Sequence, residues 1–115
     1  MIFDHNTILD TARSGIYYLR NTRTEKIYLG MTTRSFQRRW LEHLEDLDSN
    51  KHHNQRMQED FNAGDMFSAG VLCVLTSTEL MPLVERVLIT YYAERGPLYN
   101  VLGNTLPYDF YTRKS

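Results

Sequence analysis

The stretch Gly15-Ile16-Tyr17-Tyr18-Leu19-Arg20-Asn21-Thr22-Arg23-Thr24-Glu25-Lys26-Ile27-Tyr28-Leu29-Gly30 decides the fold. Its ends, Gly15 to Arg20 and Lys26 to Gly30, are rich in β-branched and aromatic residues, and a polar five-residue link separates them. That pattern predicts an antiparallel hairpin. Side chains alternate along a strand, so Ile16, Tyr18 and Arg20 share one side while Tyr17 and Leu19 share the other. In the second strand Ile27 and Leu29 oppose Tyr28. Tyr17 and Tyr28 therefore fall on one face of the hairpin if the register allows.

Beyond the hairpin, Thr32, Thr33 and Ser35 are residue types that cap helix N-termini. Phe36, Trp40, Leu44 and Leu47 follow at helical spacing and predict an amphipathic helix over 35–48, with Arg39 and His43 stacked beside the apolar stripe. A shorter helix is expected over 53–62, carrying Met57 and Phe61 inward and closed by Gly64. Phe67 to Leu75 reads as a third, mostly buried strand, with Cys73 as a small strand residue. Thr76-Ser77-Thr78-Glu79 has the form of a capping box opening a helix over 79–94, although Pro82 moves its true start toward Met81. Ile8 and Leu9 suit a short turn, Gly96-Pro97 ends the last helix, and 105–115 reads as a polar-aromatic tail. The order predicts an α+β fold, a small three-stranded antiparallel sheet flanked by helices.

The 115 residues suit one domain, expected over 1–115 with a core of about 14–103, a short extension 1–13 and a tail 104–115. Apolar residues at 42% and charged residues at 23% exclude a disordered or collagen-like chain. No apolar run reaches the roughly 20 residues of a membrane span. The first ten residues carry Asp4 and Asp10 and do not form a secretory signal. Cys73 stands alone, which leaves no intramolecular disulfide and suits a cytoplasmic protein.

The formal net charge is −1, yet residues 11–41 hold seven cations, Arg13, Arg20, Arg23, Lys26, Arg34, Arg38 and Arg39, against Glu25 alone. A basic segment of this kind is either a solvated face or a local footprint for phosphate. Near-neutrality overall argues against strong non-specific duplex binding. Glu85 is unusual by position: its helical neighbours Met81, Leu88 and Tyr92 are apolar or aromatic. A carboxylate there costs free energy unless a cation or hydrogen bonds meet it. The adjacent His52 and His53 have no ligand cluster at suitable spacing, so they read as solvated surface, with Lys51, Asn54 and Arg56 available to a nucleic-acid backbone.

Gly15-Ile16-Tyr17, then ten residues, then Tyr28-Leu29-Gly30, resembles the signature of the GIY-YIG endonuclease family. Arg39, Trp40 and His43 on the following helix, Glu85 on the late helix and Asn100 beyond it extend the resemblance over about residues 14–103. The resemblance implies cleavage of phosphodiesters in DNA, with RNA an open alternative, using one divalent ion, Mg²⁺ or Mn²⁺. It implies Glu85 as the metal-binding carboxylate, Arg39 facing the scissile phosphate, Tyr17 and Tyr28 as the two motif tyrosines, and Asn100 supporting the site. His43 corresponds to a histidine of the restriction-enzyme branch that assists the tyrosine base. Met31 stands where the repair-nuclease branch often has lysine, so the histidine-assisted version is preferred. The family also permits a phage or mobile-element origin.

The chemistry suits those residues. A hard ion that keeps most of its waters can be held by one carboxylate and the substrate phosphate. Arg39 can fork two donors onto phosphate oxygens. A phenol of pKa about 10 is ionised about one part in a thousand at pH 7, a cost of about 4 kcal/mol. Tyr17 overcomes this if its proton passes to neutral His43 while Arg39 and the metal favour the phenolate, with Tyr28 orienting water or phosphate. Arg20, Arg34, Arg38, Lys51 and Arg56 are the expected backbone contacts. The sequence carries no zinc finger, helix-turn-helix or basic tail. The expectation is a minimal nuclease of low intrinsic specificity that relies on a specificity partner, self-dimerisation or DNA structure. The alternative is a non-cleaving nucleic-acid- or nuclease-binding module that retains the fold.

Overall fold

Strand β2 (Gly15–Asn21) and strand β3 (Ile27–Thr32) form the expected hairpin in the computed structural model, which describes residues 2–3 and 13–100. Their register pairs Tyr17 with Gly30 and Leu19 with Tyr28, so both motif tyrosines do share a face. The link turns where Glu25 takes a φ of 65°, and the backbone N–H of Asn21 donates to the Lys26 carbonyl. Asn21 belongs to the strand rather than the link. Its buried side chain accepts from the N–H groups of Arg23 and Thr24 and donates to Asp65 and to the Tyr99 hydroxyl.

Strand β4 (Phe67–Val74) pairs antiparallel with the other side of β2, completing the three antiparallel strands. A two-residue strand β1 (Ile2–Phe3) adds to β4 in parallel, giving the order β1-β4-β2-β3. Gly15, at φ 146°, approaches the β4 backbone so closely that a Cβ would collide with the Cys73 carbonyl. Only glycine accepts that conformation and that contact.

Helix α1 (Phe36–Asp48) is capped by Ser35, whose Oγ accepts from the Arg38 N–H. Its buried residues are Phe36, Trp40, His43 and Leu47. His43 therefore takes the inward position expected for Leu44, because steps of four, three and four residues follow the helical face more closely than steps of four, four and three. Helix α2 (Gln55–Asn62) begins later than expected, with Asn54 as its N-cap accepting from Met57, and Gly64 at φ 98° follows it. Helix α3 (Met81–Ala93) starts at Met81, with Pro82 in its first turn. Ser77, not a capping box, serves the turn before it by accepting from the Leu80 N–H.

Two apolar layers sandwich the sheet. Tyr17, Leu19, Phe36, Trp40, Leu47, Met57, Phe67 and Tyr99 pack on the α1 side. Leu29, Ile89 and Leu98 pack on the α3 side, with Tyr18, Leu72 and Tyr92 against them. Cys73 is half-buried in β4. The turn expected at Ile8 and Leu9, the tail 104–115 and most of the extension 1–13 lie outside the described residues. Among the described residues no helix is long and apolar enough to cross a membrane.

Candidate active site

The hairpin and α1 bring the first pair together. The Tyr17 hydroxyl lies 2.6 Å from His43 Nε2, both rings fully buried. Gly30, cross-strand from Tyr17, leaves the space its ring occupies: a Cβ there would overlap the hydroxyl. The second motif glycine is thus a steric requirement of the tyrosine in the first motif.

His52 is the residue that sequence reasoning missed. Expected on the solvated surface, it lies in the link ahead of α2, buried, with Nε2 2.7 Å from His43 Nδ1. Because Asn54 caps α2, the His52-His53 pair precedes the helix and is free to turn inward. The backbone N–H of Asn54 donates to His52 Nδ1 at 3.0 Å, and Gln58 accepts from the His52 N–H. Asn54 itself is buried and donates to the Tyr99 carbonyl, so its side chain is committed to the fold rather than open to a nucleic-acid backbone. The only sequence signal for the pair was its position within ten residues of His43.

The second phenol mirrors the first. The Tyr28 hydroxyl lies 3.2 Å from His53 Nε2, and its ring stands edge-on to His43 with centroids 5.4 Å apart. His43, His52 and His53 form a stack, with successive centroids 4.9 and 4.5 Å apart.

Burial decides the protonation states. It pushes His43 down to about 2 and His52 down to about 4, with Arg39 adding to the effect at His43 and His53 at His52. Both are neutral at pH 7. The tautomers then follow from the Asn54 N–H: His52 Nδ1 must accept, so its proton sits on Nε2 and donates to His43 Nδ1. His43 consequently carries its proton on Nε2 and donates to Tyr17. The sequence expectation ran the other way, with Tyr17 giving its proton to His43. In the resting protein that nitrogen already bears one.

Burial raises the Tyr17 phenol well above its usual range, with Tyr28 adding to the rise, while the charge of the nearby Arg39 guanidinium opposes it. Tyr28 is pushed up to about 12, by burial and then by Glu85. Glu85 thus stands close enough for its charge to reach both phenols. Its own carboxyl is raised to about 7 by burial. No hydrogen bond or ion pair meets it among the described residues, where no cluster of three metal-binding side chains occurs either. An isolated, half-buried carboxylate of this kind fits a single hard cation that keeps most of its waters.

Arg39 sits on α1 beside Tyr17 and pairs with Glu42, its Nη1 3.0 Å from Oε1. Asn100 does not enter the pocket. Its side chain exchanges two 2.9 Å hydrogen bonds with the Leu29 backbone, clipping the segment after α3 onto β3 beside Tyr28. The structure thus gathers Tyr17, Tyr28, Arg39, His43 and Glu85, with Asn100 behind them. The basic residues are dispersed: Arg38, Lys51 and Arg56 are exposed, Arg34 bonds Glu42, and Arg20 bonds Glu25. Arg20 lines a 370 Å³ cavity with Tyr18 and Tyr92, on the sheet face away from Tyr17. Arg23 pairs with Asp65, so much of the basic segment is neutralised locally.

The sequence profile of the GIY-YIG catalytic domain matches residues 13–80. The chain belongs to the GIY-YIG family. Intron-associated endonuclease 1 of Enterobacteria phage T4 is 36% identical to it over 61 residues, 52% of this chain and 24% of that relative. The chain thus spans about a quarter of the length of this curated relative. A mutant of the catalytic domain of intron endonuclease I-TevI superposes with a TM-score of 0.70 at 29% identity, covering 76% of this chain and 92% of that one. A second structure, the catalytic domain of homing endonuclease I-TevI, gives 0.68 at 27% identity, covering 77% and 100%. The GIY-YIG assignment agrees with the three antiparallel strands and three helices described above.

Proposed function

We propose that this GIY-YIG chain is a divalent-metal-dependent endonuclease that hydrolyses phosphodiesters in DNA, its core forming one catalytic unit. The reading rests above all on the buried Tyr17–His43 contact beside Arg39. His43 Nε2–H donates to the phenol oxygen, and the charge of the Arg39 guanidinium acts on it from close by. Both oppose the rise that burial imposes; once the phenol has lost its own proton to solvent, the phenolate keeps a lone pair that can take a proton from the attacking water. His52 and the Asn54 N–H hold His43 in the donating tautomer. Tyr28, braced by His53, orients water or a phosphate oxygen. Arg39 places its fork on the scissile phosphate.

Glu85 would hold one Mg²⁺ or Mn²⁺, for which its isolated, half-buried carboxylate is suited. When bound, such an ion supplies positive charge at the phosphate and lowers the pKa of a bound water. Arg38, Lys51 and Arg56 are exposed and available to the nucleic-acid backbone. The relationship to phage intron endonucleases supports DNA as the substrate and a phage or mobile-element setting inside the host cell.

The test is nicking of supercoiled plasmid by purified protein with Mg²⁺ or Mn²⁺, abolished by EDTA and by Arg39→Ala. Binding without nicking across several metals and pH 7–9 would identify a non-cleaving module instead.

A further inference from the structure

Glu42 lies on α1 between two cations. Its Oε1 accepts from Arg34 Nη2 at 2.7 Å and from Arg39 Nη1 at 3.0 Å. The Arg34 and Arg39 bonds hold the carboxyl below its ordinary range despite the opposing effect of desolvation. All three side chains reach solvent in part, at 47% for Arg34, 34% for Glu42 and 27% for Arg39. Arg39 is therefore bracketed, with the buried Tyr17 phenol on one side and a solvent-accessible carboxylate on the other.

Helix stability does not account for this arrangement. An Arg preceding its acidic partner along a helix is the less favourable order. The first turn of α1 holds no acidic residue, and Arg34, Arg38 and Arg39 lie in or beside it, against the helix dipole. An anion arriving from solvent reverses that penalty. Glu42 meets one Arg39 donor with one anionic oxygen, and an anionic oxygen of a phosphodiester can take that donor in its place.

We propose that Glu42 is a stand-in for the scissile phosphate, occupying Arg39 in the free protein and releasing it when DNA binds. The proposal rests on Arg39 being the phosphate-facing residue. Glu42 is a positioning residue: it keeps the guanidinium ordered above Tyr17 without touching the substrate. On release it retains Arg34, so neither the carboxylate nor Arg34 is left unpaired. With one anion between two cations the cluster stays net positive, and phosphate is still attracted. The consequence is a KM set above the value that Arg39 alone would give.

The test is DNA-binding anisotropy on a labelled duplex in EDTA, with plasmid nicking in Mg²⁺. Glu42→Gln should tighten binding and lower KM about two- to fivefold at low salt. Its kcat should stay within about twofold, and the gain should fade as salt rises. Glu45→Gln, which removes an exposed α1 carboxylate elsewhere, should leave binding nearly unchanged. The gain should also vanish in the Arg39→Ala background. Weaker or unchanged binding in Glu42→Gln overturns the proposal, as does an equal gain in Glu45→Gln or one that survives Arg39→Ala. A kcat loss without a KM change would mark Glu42 as a structural clamp only. Full cleavage by Arg39→Ala would overturn the proposal too, by removing Arg39 from the phosphate, whereas no nicking by the parent protein would sink the nuclease reading, an outcome separate from these.

Discussion

Tyr17 Oη and His43 Nε2 stand 2.6 Å apart where neither ring reaches solvent. Tyr17→Phe removes the acceptor and leaves the imidazole N–H buried without a partner, which should cost about 1–3 kcal/mol in urea denaturation. Plasmid nicking should fall by at least about 100-fold, the usual contribution of a positioned base. A variant that nicks within about tenfold of the parent would remove Tyr17 from the base role.

Gly30→Ala attacks the same pair from across the hairpin. The new methyl group would overlap the Tyr17 hydroxyl and ring, so the phenol must leave its place beside His43. Overpacking of this kind typically costs about 1–3 kcal/mol. Activity should drop about as far as in Tyr17→Phe although every catalytic side chain is retained. Normal nicking by a folded Gly30→Ala protein would show that the close approach is irrelevant to catalysis.

The buried histidines should make the fold acid-sensitive. His43 and His52 are depressed to about 2 and about 4, whereas in the unfolded chain they titrate near 6.5. Their contribution is complete above pH 6.5 and is lost as pH falls, down to about 4 for His52 and about 2 for His43, because over that span only the unfolded chain takes up those protons. His52→Gln should flatten the stability slope between pH 6.5 and 4.5 by up to one proton. Urea melts across that range measure it, and an unchanged slope would place His52 outside the buried chain.

Glu85 has the opposite sign. Burial lifts its carboxyl from 4.5 to about 7, so its burden is absent below pH 4.5, grows with pH and is full above 7. Metal-free Glu85→Gln should therefore be more stable than the parent at pH 8, by on the order of 2–3 kcal/mol, and no more stable at pH 4. It should not nick plasmid. Mg²⁺ should raise the melting temperature of the parent at pH 8 and leave that of the variant unchanged. Equal Mg²⁺ responses in the two proteins would exclude Glu85 as the metal ligand.

Much of this was legible because it is local. Hairpin alternation put Tyr17 and Tyr28 on one face, and the helical period placed Arg39 beside the α1 stripe. The unsupported carboxylate at Glu85 stood out from its apolar neighbours before any fold was known, and its raised pKa has the same origin. The histidines were harder to read. The expected helix over 53–62 put His53 inside it, whereas the Asn54 cap leaves both histidines ahead of α2, and helix ends are the least certain part of any sequence reading. Asn100 gave no local sign that its amide would pair with the Leu29 backbone 71 residues away.

The chain's own periodicities determined its strands and helices and the shared face of the two tyrosines. Those follow from backbone geometry acting over a few residues. Tertiary structure decided which nitrogen meets which oxygen. The sharing of Glu42 between Arg34 and Arg39 depends on how α1 meets the segment before it at the surface, while the donating tautomer of His43 and the inward turn of His52 depend on side chains converging in water-poor space. Desolvation there sets charge and proton position, and no one-dimensional pattern records it.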